Sequence, residues 1–154
     1  MGSIHPAKSY DVVVVGAGFS GMWHLYHLRR AGFSVRVFET GSDYGGTWYW
    51  NCYPGARVDT EIPVYQFTEK ATMDDWNWTQ RHSGRDEIQR YFHHISRVWD
   101  LDGDVSFNSY VTSMVWDPSD KSWLVEIGDS GEIYRAQHII MGTGFAAKAY
   151  IPSY

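Results

Sequence analysis

Cysteine is nearly absent. Cys52 stands alone among 154 residues, so neither an internal disulfide nor a multi-cysteine metal site can form, and a reducing compartment is the simpler setting. Basic charge is also short. Thirteen Lys and Arg against 18 Asp and Glu give a net charge of -5, which leaves no electrostatic footprint for a polyanion and excludes nucleic acid as a partner. No stretch reaches the roughly 18 apolar residues that a membrane span needs, and the amino terminus has no apolar signal-peptide core. Met1-Gly2-Ser3 opens like an acylation site, yet Pro6 occupies the position that requires Ser or Thr. These absences describe a cytoplasmic protein with no membrane span.

Leucine is scarce too, with 4 residues against 13 valines and 9 isoleucines. β-Branched side chains pack best on pleated surfaces, so strands supply much of the core and a helical bundle is excluded. With 8 Trp, 11 Tyr and 7 Phe adding apolar bulk, the chain can bury a core, and wholesale disorder is excluded. Its length suits one domain over 1–154.

Tyr10 to Val15 contains four consecutive valines, the pattern of a strand buried on both faces, as parallel strands are. A glycine turn follows, then a helix from Ser20 to Ala31 with Met22, Leu25 and Leu28 as its apolar stripe and Gly32 at the C-cap. A second strand, Ser34 to Glu39, completes a βαβ unit over 10–40 and implies a parallel sheet. Residues 41–66 begin with a glycine- and proline-rich stretch that lacks periodicity, predicting a long functional loop. Ile88, Phe92, Ile95 and Trp99 recur at helical spacing, with Asp86 and Glu87 in the first turn, predicting a helix over 85–101. Val105 to Phe107, Val111 to Trp116, Trp123 to Ile127 and Ile133 to Met141 read as strands. The last three form an antiparallel β-meander over 110–141, punctuated by Asp-Pro-Ser-Asp and Gly-Asp-Ser-Gly turns.

Gly16-Ala17-Gly18-Phe19-Ser20-Gly21 is a G-x-G-x-x-G placed directly between the valine strand and the first helix. In that context Gly16 permits the tight turn, Gly18 lets a pyrophosphate approach the backbone, and Gly21 lets helix and strand pack closely. Glu39 ends the second strand near the spacing at which an acid reaches a ribose hydroxyl, which argues for an adenosine ribose without a 2′-phosphate. NAD and FAD both satisfy this pattern.

The stretch Gly45-Gly46-Thr47-Trp48-Tyr49-Trp50-Asn51-Cys52-Tyr53-Pro54-Gly55-Ala56-Arg57-Val58-Asp59-Thr60 brings aromatics, donors and one acid onto a loop beside the nucleotide turn. Composition alone allows either a surface that stacks on a flat ring or a hydrophobic plug. The stretch closely resembles the flavin-contacting loop of Baeyer–Villiger monooxygenases, a branch of the class B flavin monooxygenases. The resemblance continues through Thr60-Glu61-Ile62-Pro63-Val64-Tyr65, Gly84-Arg85-Asp86-Glu87-Ile88 and Gly142-Thr143-Gly144-Phe145-Ala146-Ala147-Lys148.

That resemblance implies a Rossmann-like, glutathione-reductase-type α/β FAD-binding domain, with a parallel sheet and an antiparallel meander, incomplete within this length. It implies an enzyme whose FAD is reduced by NADPH and which inserts one oxygen from dioxygen beside a ketone carbonyl or into a heteroatom of a small hydrophobic substrate. It also implies FAD contact by Gly16, Gly18, Gly21 and Glu39, then by Thr47, Trp48, Tyr49, Trp50, Asp59, Thr60 and Tyr65, with Arg57, Val58 and Asp59 bordering the nicotinamide. Asp59 corresponds to an acid that orients a catalytic arginine outside this sequence. Cys52 replaces a family arginine, removing a fixed charge and several donors. The sequence stops at Tyr154, before the family's Phe-x-Gly-x-x-x-His-x-x-x-Trp fingerprint and NADPH domain, so negligible NADPH oxidation is expected from these residues alone.

Other features weigh less. Gly142 to Ala147 also fits G-x-G-x-x-A, but too few residues follow for a βαβ unit, so it reads as a strand-end turn flanking the nucleotide. His24 with His27, and His93 with His94, read as exposed histidines with no metal expected. Ser20 has no nucleophile-elbow context, and Trp76, Trp78 and Trp116 read as core or partner-facing bulk. A different class of function, a non-redox isomerase or cyclase with Asp59 as general acid or base, needs that carboxyl enclosed among aromatics. A non-catalytic remnant or binding module is the third reading. An unfinished sheet predicts self-association or a separate polypeptide supplying the missing part.

Overall fold

The computed structural model describes residues 8–128, 131–145 and 151–154. The valine run forms the middle of β1 (Lys8–Val15), and Val12, Val13 and Val14 are all buried, as a strand covered on both faces requires. Helix α1 (Phe19–Arg30) returns the chain to β2 (Val35–Phe38), parallel to β1 with Val12 opposite Val35 and Val15 opposite Phe38. Gly32, at φ +91°, ends α1 in a left-handed turn in which the Phe33 N–H donates to Leu28 O and the Gly32 N–H to Arg29 O.

The 41–66 segment is not wholly loop. Two single-turn helices, α2 (Thr47–Trp50) and α3 (Lys70–Met73), precede the long helix α4 (Arg85–Val98). α4 is shorter than its periodicity suggests. Trp99 caps it, Asp100 turns left-handed at φ +51°, and the Leu101 N–H donates to Ser96 O, the same closure as on α1 with Asp in place of Gly. The periodic Trp99 still reaches the core from this cap.

The remaining strands are β3 (Val105–Ser106), β4 (Val111–Asp117), β5 (Ser122–Ile127) and β6 (Glu132–Met141). They complete a six-stranded sheet of order β3-β2-β1-β6-β5-β4, parallel from β3 to β6 and antiparallel from β6 to β4. The mixed α/β sheet with its antiparallel meander is the fold class expected from the sequence. The Asp117–Asp120 turn closes through the Ser119 N–H and hydroxyl, both donating to Asp117 Oδ1. Of the second turn, residues 129 and 130 lie outside the described residues.

β6 belongs to two ladders. Its first half, to Ala136, pairs with β5, while Tyr134 to Met141 pair with β1. Beyond Ala136 the β5-facing edge has no strand partner among the described residues. One face of the sheet, with Val12, Val14 and Val37, packs against Met22, Leu25, Ile88, Phe92 and Ile95 of the two long helices. On the other face, Val13 and Phe38 pack with Val125, Ile127 and Ala136 of the meander. The carboxyl ends of β1 and β2 therefore open between two covered faces, where a doubly wound sheet holds its ligand.

Candidate functional site

β1 ends at Val15, and Gly16 turns the chain at φ +101° with its N–H donating to Phe38 O at 2.8 Å. No side chain fits there, because a Cβ on Gly16 would fall 2.6 Å from Gly142 O. Gly21 is tighter still, since its Cβ would meet Gly16 O at 1.9 Å. α1 starts from Gly18 with no side-chain cap and no acid in its first turn. The Met22 N–H is the first to find a carbonyl, that of Gly18, while those of Phe19, Ser20 and Gly21 take no acceptor among the described residues. A helix end with free donors and no acid in its own first turn is a ready anion site.

Glu39 follows β2 and is only 5% exposed. Its carboxylate accepts the Ala17 N–H on Oε2 and the Gly41 N–H on Oε1, each at 2.7 Å. Each oxygen retains a second acceptor position, so the carboxylate can hold the glycine loop and still receive hydroxyl donors.

The aromatic loop is fastened to this turn backbone to backbone. The Gly45 N–H donates to Ala17 O at 3.2 Å, and a Cβ on Gly46 would stand 3.2 Å from Gly18 Cα. α2 then begins. Trp48 is buried and donates from Nε1 to the Tyr65 hydroxyl at 3.0 Å, while its carbonyl accepts Arg85 Nε at 2.8 Å. The Tyr49 ring covers Gly41, and its hydroxyl accepts the Ser42 N–H and pairs with the Ser42 hydroxyl, which together hold the phenol below its ordinary pKa. Thr47 is exposed, with Oγ1 accepting Asn51 Nδ2, and Trp50 is 57% exposed with its ring edge-on to Tyr49. Tyr65 meets the Phe19 ring edge-on at 5.2 Å, joining the loop to the first turn of α1.

Arg57 to Thr60 take a different position. Arg57 bridges Gly84, the Val58 N–H donates to Ser83 O, and the Ile62 N–H donates to Arg81 O, so this segment lies antiparallel to residues 81–85. The Arg57 guanidinium donates to Gln80 Oε1 and His82 O, and Val58 is buried. Asp59 is exposed and accepts the Thr60 hydroxyl at 3.3 Å. An exposed Asp59 lacks the aromatic surroundings on which its role as general acid or base in the isomerase or cyclase reading rested. Arg85 ties the two parts together, its N–H donating to Ala56 O and its Nε to Trp48 O.

The structure thus brings Gly16, Gly18, Gly21 and Glu39 around one turn and lays Thr47 to Trp50 and Tyr65 beside it. Arg57 to Thr60 sit one segment away, joined through Arg85. Sequence reasoning gave no role to Ala17 or Gln89 and read Glu87 only as a first-turn acid of its helix. Glu87 accepts the Thr79 N–H at 2.8 Å and the Ser83 hydroxyl. Burial pushes its pKa up, but these hydrogen bonds outweigh burial and hold the carboxyl below its ordinary range.

The histidines correct one expectation. His93 is exposed, but His24, which donates to Ser20 O, and His27, 3.5 Å from Glu69, are half-buried, and His94 is buried against Trp76. α4 buries Tyr91 and Phe92 as well as His94 and Ile95, a face wide enough to include the second histidine of the pair. Cys52 is exposed and free. Gly142 donates its N–H to Val15 O at 2.8 Å beside the glycine turn, whereas Ala146, Ala147 and Lys148 lie outside the described residues. Among the described residues no helix is long and apolar enough to cross a membrane.

These features define a Rossmann-like nucleotide-binding domain, and residues 14–76 match the NAD(P)-binding Rossmann-like domain family. Relatives narrow the class. The chain is 44% identical over 144 residues to the FAD-binding monooxygenase acrE of Aspergillus aculeatus, covering 94% of this chain and 24% of the relative. It is 40% identical to cyclopentanone 1,2-monooxygenase of Comamonas sp., over 93% of this chain and 26% of the relative. With a Baeyer-Villiger monooxygenase of Streptomyces coelicolor it shares 39%, over 92% and 23%. Cyclohexanone monooxygenase from Rhodococcus sp. Phi1 bound to NADP+ superposes with a TM-score of 0.90 at 33% identity, over 97% of this chain and 28% of that one. An oxidised steroid monooxygenase bound to NADP gives 0.88 at 38%, over 95% and 28%. Nearly the whole chain is thus similar to the amino-terminal part of Baeyer–Villiger-type flavin monooxygenases. It spans about a quarter of the length of the curated relatives it matches.

Proposed function

We propose that this chain binds FAD and serves as the flavin-holding part of an NADPH- and dioxygen-dependent monooxygenase acting on a small hydrophobic ketone or heteroatom compound. The observation that carries the reading is the open donor end of α1, set beside a buried Glu39 that keeps acceptor capacity. When bound, FAD supplies hydride acceptance from NADPH and oxygen activation. The free N–H groups of Phe19 to Gly21 receive the pyrophosphate, at a turn where Gly16, Gly18 and Gly21 leave no side chain in its path. Glu39 accepts the hydroxyls of the adenosine ribose. Thr47, Trp48, Tyr49, Trp50, Asp59, Thr60 and Tyr65 flank the ring system, while Arg57, Val58 and Asp59 border the nicotinamide. The exposed Asp59 carboxylate faces outward to orient a cationic side chain supplied from elsewhere.

Relatives named for cyclopentanone and acetone support a small ketone as substrate. The lone cysteine supports a cytoplasmic setting. The open β5-facing edge of β6 beyond Ala136 supports either self-association or docking of a further polypeptide segment.

Purification and FAD titration test the reading. The protein is expected to be yellow, or to quench FAD fluorescence saturably when purified colourless, and Glu39→Ala is expected to weaken binding. A colourless protein that leaves added FAD unquenched would overturn it.

A further inference from the structure

We propose that Gln89 is a positioning residue that sets the aromatic loop against the glycine turn, an inference that rests on this crevice holding FAD. Gln89 lies on α4 and is only 9% exposed. Its Nε2 donates to Tyr44 O at 2.7 Å and to Asp43 Oδ2 at 3.2 Å, and two acceptors on that side fix which end of the amide is nitrogen. Its Oε1 is then left buried with no hydrogen-bond partner. That oxygen fills the space behind Gly45, where a Cβ would come within 2.5 Å of it. Gly45 in turn donates to Ala17 O, and Gly46 packs on Gly18. A continuous path therefore runs from α4 through one amide to the backbone that walls the crevice.

A buried acceptor without a donor is costly, and a leucine or methionine at this position would avoid the cost. What the amide provides in exchange is the Nε2 grip on Tyr44 and Asp43. One turn later His93 Nε2 holds the same Asp43 Oδ2 at 2.7 Å, but from an exposed position. Gln89 is the inner of the two anchors and the one in contact with Gly45.

Hydrogen exchange and FAD binding test this together. In Gln89→Met, which keeps the length of the side chain, amides of residues 41–50 are expected to exchange about tenfold faster while those of α1 and β6 are unchanged, and FAD affinity is expected to fall about tenfold, the loss of one hydrogen bond. Gln89→Glu supplies a second arm. Its neutral carboxyl can donate to Tyr44 O and its ionised form cannot, so protection of 41–50 relative to the parent is expected to return as pH falls. Asp43 and Tyr44 on the loop and Arg85, Asp86, Glu87, Arg90, Tyr91 and His93 on the helix are the charged or titratable groups within one turn, and the parent carries all of them as its own control. Parent-like exchange and FAD affinity in Gln89→Met would overturn the proposal. Should that variant fail to fold, a Gln89→Glu protein that gains no protection on acidification would overturn it instead. A parent that binds no FAD would remove the functional reading, while the exchange arm would still decide whether Gln89 holds the loop.

Discussion

Glu39 and Ala17, 22 positions apart, are joined by a 2.7 Å hydrogen bond from the Ala17 N–H to Glu39 Oε2. The contact makes the acid at the end of β2 a structural partner of the glycine turn as well as an acceptor facing the crevice. Replacing Glu39 with Ala strands the Ala17 and Gly41 N–H groups in a buried setting, at a cost of about 3 kcal/mol. Urea unfolding without FAD is expected to show that loss. A Glu39→Ala protein as stable as the parent would mean that the turn is held by its glycines alone.

Gly21 and Gly32 separate steric exclusion from backbone preference. A Cβ on Gly21 lands 1.9 Å from a carbonyl oxygen, whereas one on Gly32 meets nothing within 4 Å and is disfavoured only by φ +91°. Gly32→Ala is expected to cost about 1 kcal/mol, and Gly21→Ala more than about 4 kcal/mol or the soluble fold itself. Equal midpoints for the two variants would show that the glycine turn can yield.

Burial, reinforced by the nearby Arg97 charge, holds the His94 imidazole below its ordinary value of 6.5. Over the window between the folded value and 6.5 the unfolded chain binds more protons than the folded one, so stability rises with pH there. The His94 contribution is complete above 6.5 and is lost as pH falls through the folded value. Denaturant midpoints measured from about pH 8 to about pH 5 are expected to fall in the parent and to flatten in His94→Leu. Parallel slopes in the two proteins would assign the acid sensitivity of this window to groups other than His94; Glu87 is not one of them, because its stabilising hydrogen bonds are lost only at lower pH.

The open half of β6 predicts association. Met141, at its end, and Val115 and Trp116, on the edge strand β4, are exposed apolar residues. Light scattering over a concentration series is expected to show growth in mass, together with binding of a hydrophobic dye. A monodisperse monomer that ignores the dye would remove the motive for a partner at this edge.

Much of the crevice could be read from the sequence because its signals are local. The valine run, the glycine turn and Glu39 fall within one βαβ unit, where strand and helix periods and the turn residues agree. Gly32 was legible for the same reason, since a left-handed closure has its own residue preference. The closure of α4 at Asp100 was not, because Asp adopts that conformation without advertising it as Gly does. α2 and α3 each span a single turn, too short to show a period. The antiparallel contact of Val58 and Ile62 with residues 81–83, the Gln89 grip on Tyr44 and the burial of His94 all depend on which segments meet in space, and no spacing along the chain encodes them.

The double membership of β6 also bears on how the molecule assembles. Val12 pairs with Val35 on one side and with His138 on the other, so the central strand completes its second ladder only when nearly the whole segment is available. During synthesis β1, α1 and β2 emerge early with one flank of β1 bare, and the β4–β5 hairpin arrives before the strand that joins it to the sheet. Closing so long a loop is slow, and the bare flank is adhesive in the meantime. Yield from a ribosome or a refolding reaction should therefore depend on how quickly residues 134–141 reach β1, a kinetic demand set by topology rather than by the stability of the finished fold.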